Sequence, residues 1–326
     1  RVTLSDAERR AGGMMRWIPS FRLPGDVLDR EIREILDLGV DFRAERTLGR
    51  DLDLEELRSD GFDAVFLAVG AQAGRRLRVE GADLPGVFLG VDYLRRAKED
   101  EQGAQGNRVV VVGGGSVAVD AARTASRLGA GRATLVCLER RDEMPAREWE
   151  VEALEAEGVE ILPSWGVERI LEKDGRASGV ELVRCTRVFD EAGAFHPVLD
   201  REVRRLLDAD RVVAAVGQEP DLSFLEAGPS VRVERGLIVV NPDTQETGVT
   251  GLYAGGDVTA APGSVVHAVA AGRRAAVAVD RALGGAGEEE EGRVRREAPD
   301  PCLGRDEGFA DRSRVTVPER DPGARA

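Results

Sequence analysis

The sequence predicts an α/β fold made of two Rossmann-like dinucleotide-binding domains. A buried strand leads directly into a glycine triplet and a helix over residues 108–128. A second glycine cluster, at 255–257, lies between a short apolar strand and a long helix. One strand pattern also occurs twice along the chain, and 326 residues are enough for two domains.

The first hundred residues contain a helix and a strand by pattern. Residues 24–38 have apolar side chains at helical spacing, with Asp26 predicted as the N-cap and Gly39 as the stop. Residues 64–70 (AVFLAVG) are a continuous apolar run, which is typical of a strand buried on both faces. The polar, glycine-containing residues 100–107 predict a linker to the next unit.

The rest of the chain alternates strands with helices. Residues 108–112 predict a buried strand, 116–128 an amphipathic helix and 133–138 the next strand. Residues 158–186 are interpreted as short strands with a turn at 173–175. Further predicted elements are strands at 212–216, 237–240 and 252–254 and a long helix at 264–283.

An internal repeat indicates two copies of one α/β unit. Residues 63–70 and 210–217 are identical at five of eight positions, and residues 2–6 resemble 133–139 more weakly. In the second copy, a strand and the glycine triplet precede the strand that ends in an acid. The first copy therefore predicts an equivalent strand, glycine loop and helix upstream of residue 1, so that the chain is an N-terminally truncated fragment. Coincidence between two buried strands, which draw on few residue types, is the alternative.

The strongest motif is the G-x-G-x-x-A pattern from Gly113 to Ala118. Gly113 lets the chain turn off the strand, Gly115 lets a pyrophosphate approach the backbone, and Ala118 allows close packing of helix on strand. The N–H groups at the helix start, with its positive dipole end, would face the phosphates. The loop residues Gly114, Ser116 and Val117 complete this candidate site. The alternative is a tight glycine turn without a ligand.

Charged residues follow the next strand and bear on cofactor choice. Glu139 is closest to the strand end, where an acid accepts hydrogen bonds from the adenine ribose and favours NADH. Arg140 and Arg141 come next, and arginines there can pair with the extra phosphate of NADPH. We expect NADH to be preferred, with NADPH left open. Surface charges without a ligand are the alternative.

The second glycine cluster predicts another ligand site. Gly256 allows close backbone approach, and Asp257 can accept hydrogen bonds from ligand hydroxyls. The following helix begins near Ser264, Val265 and Val266. The alternative is that Asp257 only caps a turn.

Composition excludes several classes of protein. With 46 Lys and Arg against 60 Asp and Glu, the net charge of −14 argues against general binding to nucleic acid or anionic membranes. Three widely spaced cysteines form neither a disulfide framework nor a redox CxxC pair, and no cluster has metal-ligand spacing. No apolar run is long enough to span a membrane and no signal peptide is visible, so a cytoplasmic location is expected.

Four stretches covering much of the chain carry a family resemblance. They are GGMMRWIPSFRLPGDVLDREI (12–32), VVVVGGGSVAVDAARTA (109–125), EMPAREWEVEALEAEGVEI (143–161) and YAGGDVTAAPGSVVHAVAAGRRAA (253–276). With them the chain resembles the small subunit of glutamate synthase. It is similar more widely to two-dinucleotide-domain flavoproteins, a group that includes the electron-input half of dihydropyrimidine dehydrogenase.

This resemblance implies cofactors and roles for single residues. It implies FAD, with Asp6 at the FAD ribose, Asp257 at the ribityl chain and the helix from Ser264 directed at the flavin. A positive helix end there would stabilise negative charge on the flavin. The family often has arginines where this chain has Leu138 and Glu139, and this departure supports NADH. The remaining candidate cofactor contacts are Gly13, Arg22, Gly70 and Gly217.

The resemblance also implies a domain layout. Residues 1–106 are expected to form the first part of the FAD domain, without its first strand, glycine loop and helix. Residues 107–218 form the inserted NAD(P)H domain, and 219–284 the second part of the FAD domain. Residues 285–326 form a charged tail.

The expected activity is that of a flavin-dependent NAD(P)H oxidoreductase. A hydride would pass from NAD(P)H to FAD, and electrons would continue to an iron–sulfur centre or partner subunit. Positioning by the protein suffices for this step, so no catalytic acid or base is predicted. The lack of a CxxC pair disfavours an output of the thioredoxin reductase type. A non-catalytic, nucleotide-binding regulatory or scaffold subunit is the alternative.

Overall fold

A computed structural model describes residues 1–100, 105–226, 230–260 and 263–287. Part of the predicted linker and nearly all of the predicted charged tail lie outside the described residues. The helices are α1 (Gly25–Leu36), α2 (Leu54–Ser59), α3 (Gly90–Glu99), α4 (Ser116–Arg127), α5 (Glu148–Ala156) and α6 (Val265–Ala282). The strands are β1 (Thr3–Ser5), β2 (Asp41–Arg43), β3 (Val65–Leu67), β4 (Ala73–Gly74), β5 (Val87–Leu89), β6 (Arg108–Val112), β7 (Arg132–Cys137), β8 (Glu160–Pro163), β9 (Trp165–Lys173), β10 (Arg176–Phe189), β11 (Phe195–Asp208), β12 (Arg211–Ala214), β13 (Gln218–Glu219), β14 (Val233–Glu234), β15 (Leu237–Ile238) and β16 (Leu252–Ala254).

A five-stranded parallel sheet forms the centre of the larger unit. Its strand order is β5-β12-β6-β7-β8. The valines of β6, the strand that leads into the glycine triplet, are at most 7% exposed because strands lie on both sides and packed layers on both faces. α4 packs its alanines against this sheet, and they are almost completely buried. The predicted strand–glycine–helix unit is therefore confirmed as an α/β core.

The five-stranded sheet also includes a strand from before residue 107. β5 pairs in parallel with β12, from Val87 beside Val212 to Leu89 beside Ala214. α3 follows β5 directly and buries Tyr93 and Leu94 in the same core. The expected domain boundary at 106–107 thus leaves β5 outside the unit whose sheet it joins.

A three-stranded antiparallel sheet covers the other face. β10 lies between β9 and β11, and both β10 and β11 are 14 residues long. The turn predicted at 173–175 is confirmed, since β9 ends at Lys173 and β10 begins at Arg176. The expectation of short strands over 158–186 holds for β8 but is wrong for β9 and β10, which form one long hairpin. β11 was not predicted, since charged residues interrupt its apolar alternation.

The N-terminal and C-terminal parts form two separate parallel strand pairs. β1 pairs with β2, and β3 pairs with β16. By the sequence repeat, β3 corresponds to β12 and β1 to β7. The pair β16-β3 thus corresponds to β5-β12 and the pair β1-β2 to β7-β8, and no strand among the described residues corresponds to β6. Within the described residues, β1 and β3 each leave one edge unpaired.

Two further expectations need correction. α1 begins at Gly25 after Pro24, and Asp26 lies in its first turn without capping it, because Pro24 already sets the extended entry into the helix. The run 64–70 forms a strand only over Val65–Leu67, and Phe66 is 37% exposed. The strand is therefore not buried on both faces: Leu67 is buried, Val65 is half-buried and Phe66 is exposed.

Candidate functional site

The turn after β6 depends on Gly113. Its φ of +136° lies in the region that favours glycine, and a Cβ atom there would lie 2.3 Å from the carbonyl oxygen of Ala215. Its N–H donates to the Val136 carbonyl at 2.8 Å. Gly113 is therefore required by the fold, next to the strand ends where α/β sheets bind ligands.

The next two glycines face different surroundings. A Cβ atom on Gly114 would lie 2.9 Å from a carboxylate oxygen of Glu139, whereas a Cβ atom on Gly115 would have no heavy atom within 4 Å. Gly115 is the N-cap of α4. Ala118 is fully buried, and its N–H donates to the Gly115 carbonyl at 2.9 Å. The loop thus presents open backbone at the start of α4, where the first N–H groups have no partner within the helix.

The acid and two arginines predicted for cofactor choice lie beside this loop. Glu139 follows β7 and leans towards Gly114. Arg140 pairs with Glu143 at 3.0 Å and with Asp142 at 3.4 Å. Arg141 donates hydrogen bonds to Glu155 at 2.9 Å and to Glu148 at 3.0 Å, and these bonds raise the pKa of its guanidinium. Both arginines are already neutralised by carboxylates, and the Glu139 side chain is nearest to the glycines.

Ser116 is held by a buried carboxylate. Its Oγ donates to Glu150 Oε2 at 2.7 Å, and that oxygen also accepts the N–H of Arg147 at 2.9 Å. Glu150, on α5, is only 2% exposed. The sequence interpretation missed α5 and Glu150, although Glu150 lies within the family stretch 143–161. Val117, the next loop residue, packs on the hydrophobic core.

Arg22 joins the N-terminal part of the chain to this region. Its Nη1 donates to both carboxylate oxygens of Asp120 at 2.9 Å, and its Nη2 lies 2.8 Å from Glu150 Oε1. Burial raises the pKa of Asp120, although the hydrogen bond from Arg22 opposes the shift. The ring of Trp149 lies 5.6 Å from the guanidinium carbon. Asp120 was also missed, although it lies one helical turn after Ser116 on α4.

The second glycine cluster lies after β16. A Cβ atom on Gly255 would lie 2.9 Å from Phe66 and 3.0 Å from Ala271, so close packing requires this glycine. Gly256 has a φ of +80°. Asp257 Oδ1 accepts the N–H of Gly263 at 3.1 Å, so the carboxylate does bridge the loop before α6. Its contact with a ligand stays a prediction.

The beginning of α6 is exposed and apolar. Ser264 is its N-cap and makes no side-chain capping bond. Val265, Val266 and Val269 are 45%, 74% and 65% exposed. An uncapped helix start that presents three valines is a surface on which an amphipathic ligand or another chain segment can pack.

The remaining predicted residues lie at strand ends and turns. Asp6 follows β1 directly, and its Oδ1 accepts the N–H of Glu8 at 2.9 Å. Gly13 begins a 3₁₀ turn with a φ of +51°. Gly70 and Gly217 both have positive φ and follow the equivalent strands β3 and β12. The structure therefore places Asp6, Gly70 and Gly217 just after strands of three different parallel sheets, and Gly13 in a turn; their contacts with cofactors stay predictions.

Comparisons with known proteins identify the family. A family model described as pyridine nucleotide-disulphide oxidoreductase matches residues 18–272. The chain belongs to the pyridine nucleotide-disulphide oxidoreductase family. The resemblance to glutamate synthase small subunits and the predicted Rossmann-like α/β fold are confirmed by the relatives and the solved structure that follow.

Two curated relatives align with most of this chain. It is 41% identical over 288 residues to the NADP(+)-dependent formate dehydrogenase subunit beta of Moorella thermoacetica, covering 87% of this chain and 40% of that protein. It is 34% identical over 293 residues to the glutamate synthase [NADPH] small chain of Azospirillum brasilense, covering 84% of this chain and 60% of that one. The chain thus spans about half the length of these relatives.

A solved structure shows the same fold. The structure of Mycobacterium tuberculosis FprA in complex with NADPH matches with a TM-score of 0.69 at 19% identity, covering 86% of this chain and 77% of that chain. At this identity the likeness concerns the fold alone.

Among the residues that the structure describes, no group of three or more His, Cys, Asp or Glu side chains is arranged to hold a metal ion. None of the described helices has the length and hydropathy of a membrane span. Burial raises the pKa of Cys137 to about 12, so this thiol stays protonated at neutral pH.

Proposed function

We propose that the chain is the electron-input part of a flavin-dependent NAD(P)H oxidoreductase that acts in the cytoplasm. Electrons would leave for an iron–sulfur centre or a partner subunit; the relatives named above are themselves called subunits or chains of larger enzymes. The observation that carries the proposal is the glycine loop at Gly113–Gly115. It combines open backbone, an uncovered helix start and an adjacent acid at Glu139.

The described residues fit a nicotinamide dinucleotide. Gly115 leaves space for the pyrophosphate, and the first N–H groups of α4 can donate to its oxygens. Glu139 is available for the ribose hydroxyls. Gly217 and Gly70 follow equivalent strands and would border the two cofactor sites. The role of these residues is to hold and orient the dinucleotide.

The fit to FAD is partial within the described residues. Asp6 suits the ribose, Gly256 and Asp257 suit the ribityl chain, and the exposed start of α6 suits the ring system. Bound FAD would supply the hydride acceptor. A glycine loop for its pyrophosphate is not among the described residues of this unit.

The strand order indicates where such a loop belongs. The position equivalent to β6, between β3 and β1, has no strand in the described residues, while β6 itself carries the nucleotide loop in the other unit. We infer that a parallel strand followed by a glycine loop and helix occupies this position. The three parts of the layout (1–106, 107–218 and 219–284) then form two units, with β5 and α3 packed on the inserted one.

We further propose that NADH is preferred over NADPH. Glu139 stands nearest to the glycines, and the guanidiniums of Arg140 and Arg141 are already paired with four carboxylates. The relatives carry NADP(+) or NADPH in their names, so this preference would set the chain apart from them.

Calorimetric titration tests the binding part of the proposal. The chain is titrated with NAD+, NADP+ and FAD, beside a protein that also includes the upstream coding sequence. We expect the chain to bind NAD+ and the extended protein to bind FAD as well. Failure of the chain to bind either nicotinamide dinucleotide would overturn the proposal. NAD+ binding by an extended protein that takes up no FAD would favour a non-catalytic nucleotide-binding subunit.

A further inference from the structure

We propose that Arg22 is a positioning residue for the dinucleotide site, acting through Glu150 on Ser116 and the glycine loop. Arg22 lies in the segment before α1, outside the five-stranded sheet, whereas Ser116 and Glu150 lie in that sheet's unit. The inference rests on the proposed dinucleotide site. It adds that a residue of the other unit controls how tightly this site binds.

A short chain of polar contacts joins Arg22 to the loop. Arg22 Nη2 lies 2.8 Å from Glu150 Oε1, and Glu150 Oε2 accepts the Ser116 hydroxyl at 2.7 Å. Ser116 is the first residue of α4, directly after Gly115. The orientation of its hydroxyl, and with it the loop's polar surface, is thus fixed by a carboxylate that Arg22 holds.

Charge makes Arg22 more than a packing residue. Asp120 and Glu150 are buried carboxylates, 6% and 2% exposed. Asp120 lies one helical turn after Ser116, and Glu150 accepts the Ser116 hydroxyl. A dinucleotide would bring a pyrophosphate to this same helix start. Arg22 donates to both carboxylates, so its loss would leave uncompensated negative charge beside the incoming phosphates.

Phe21, the residue before Arg22, fixes the position of this segment against α4. The ring of Phe21 lies 4.5 Å from the guanidinium carbon of Arg123 and 4.2 Å from that of Arg127, both on α4. Trp149 covers the guanidinium of Arg22 from the α5 side. The segment carrying Phe21 and Arg22 is therefore attached to α4 and α5 together. A displacement of the N-terminal part would therefore move Arg22 relative to Glu150.

The test compares four chains by calorimetric titration. They are the parent chain, R22M, the double variant R22M/E150Q and the control R132M, each titrated with NAD+ and NADP+. R132M also loses an arginine paired with a carboxylate, Glu160, but Arg132 begins β7 at the opposite end of that strand from the glycine loop. Gln at 150 can still accept the Ser116 hydroxyl but carries no charge.

For the dinucleotide that the parent binds more tightly, R22M should raise Kd about tenfold, a usual size for coupling between sites. R22M/E150Q should return Kd to within about threefold of the parent, and R132M should stay within about twofold. An unchanged Kd in R22M, or a folded double variant that binds no better than R22M, would overturn the inference. If R22M does not fold, R22K takes its place, with a smaller loss that E150Q again repairs. A parent chain that binds neither dinucleotide would instead refute the proposed function.

Discussion

At the scale of single residues, Gly113 and Gly115 differ in what they are required for. A Cβ atom would collide with the Ala215 carbonyl at Gly113, whereas at Gly115 it would point into open space at a φ of −91° that any residue can adopt. We expect Gly113→Ala to lower the free energy of unfolding by about 1–3 kcal/mol. Gly115→Ala should leave stability unchanged and weaken dinucleotide binding. Urea unfolding and NAD+ titration measure the two effects.

The two variants are controls for each other. If Gly115→Ala bound NAD+ as the parent does, the pyrophosphate would not approach this backbone. If Gly113→Ala were as stable as the parent, the turn would not depend on its positive φ.

Cofactor preference is also decided by single side chains. Glu139→Arg removes the acid beside Gly114 and introduces a cation that can bind the 2′-phosphate. We expect it to favour NADPH over NADH by roughly tenfold or more relative to the parent, as one charge-assisted hydrogen bond allows. The ratio of kcat/KM values of the flavin-loaded extended protein for the two cofactors measures it.

Glu152→Gln is a matched control, since Glu152 is an exposed acid of α5 that takes no part in the ion pairs of Arg140 and Arg141. A parent that already prefers NADPH strongly would refute the role given to Glu139.

At the scale of secondary-structure elements, hydrogen bonds to Glu157 link α4 to the C-terminal end of α5. Glu157 accepts hydrogen bonds from Arg123 and Arg127 at 2.6 Å each. Burial alone would raise the pKa of Glu157, but these two bonds outweigh it and lower the pKa below the ordinary value of 4.5. The contact therefore stabilises the fold fully above that ordinary value, and its contribution is lost as the pH falls through the lower folded pKa.

Glu157→Gln should accordingly cost about 1–3 kcal/mol of unfolding free energy at neutral pH. The difference from the parent should shrink in acid below the ordinary value of 4.5, as the pH falls through the lowered pKa of Glu157 and the parent's carboxylate becomes protonated. Urea unfolding at both pH values measures this. A cost that is the same at both would mean that packing, and not charge, holds the two helices together.

The elements differ in how far the sequence predicts them. β6, α4 and α6 were predicted nearly to their ends, because buried parallel strands and alanine-rich helices have strong local patterns. β11 was missed because charged residues interrupt its apolar alternation. Asp26 was predicted as the N-cap of α1, but Pro24 occupies that position. The partners of Arg22 are 98 residues or more away in sequence, so no local pattern could reveal them.

At the scale of the whole molecule, the chain has two Rossmann-like units, and the repeat of 63–70 at 210–217 forms β3 in one unit and β12 in the other. In the five-stranded sheet, β6 carries the glycine loop and lies between β5-β12 and β7-β8. The other unit has the pairs β16-β3 and β1-β2, and no equivalent of β6 is among its described residues. The central claim is that the two units hold a nicotinamide dinucleotide and FAD so that a hydride passes between them.

Anaerobic titration of the flavin-loaded, upstream-extended protein with NADH tests this most directly. We expect the yellow flavin absorbance to bleach with about one equivalent of NADH, and we expect Gly115→Ala in the same protein to bleach far more slowly. A protein that holds flavin and binds NADH, yet keeps its full absorbance, would contradict it.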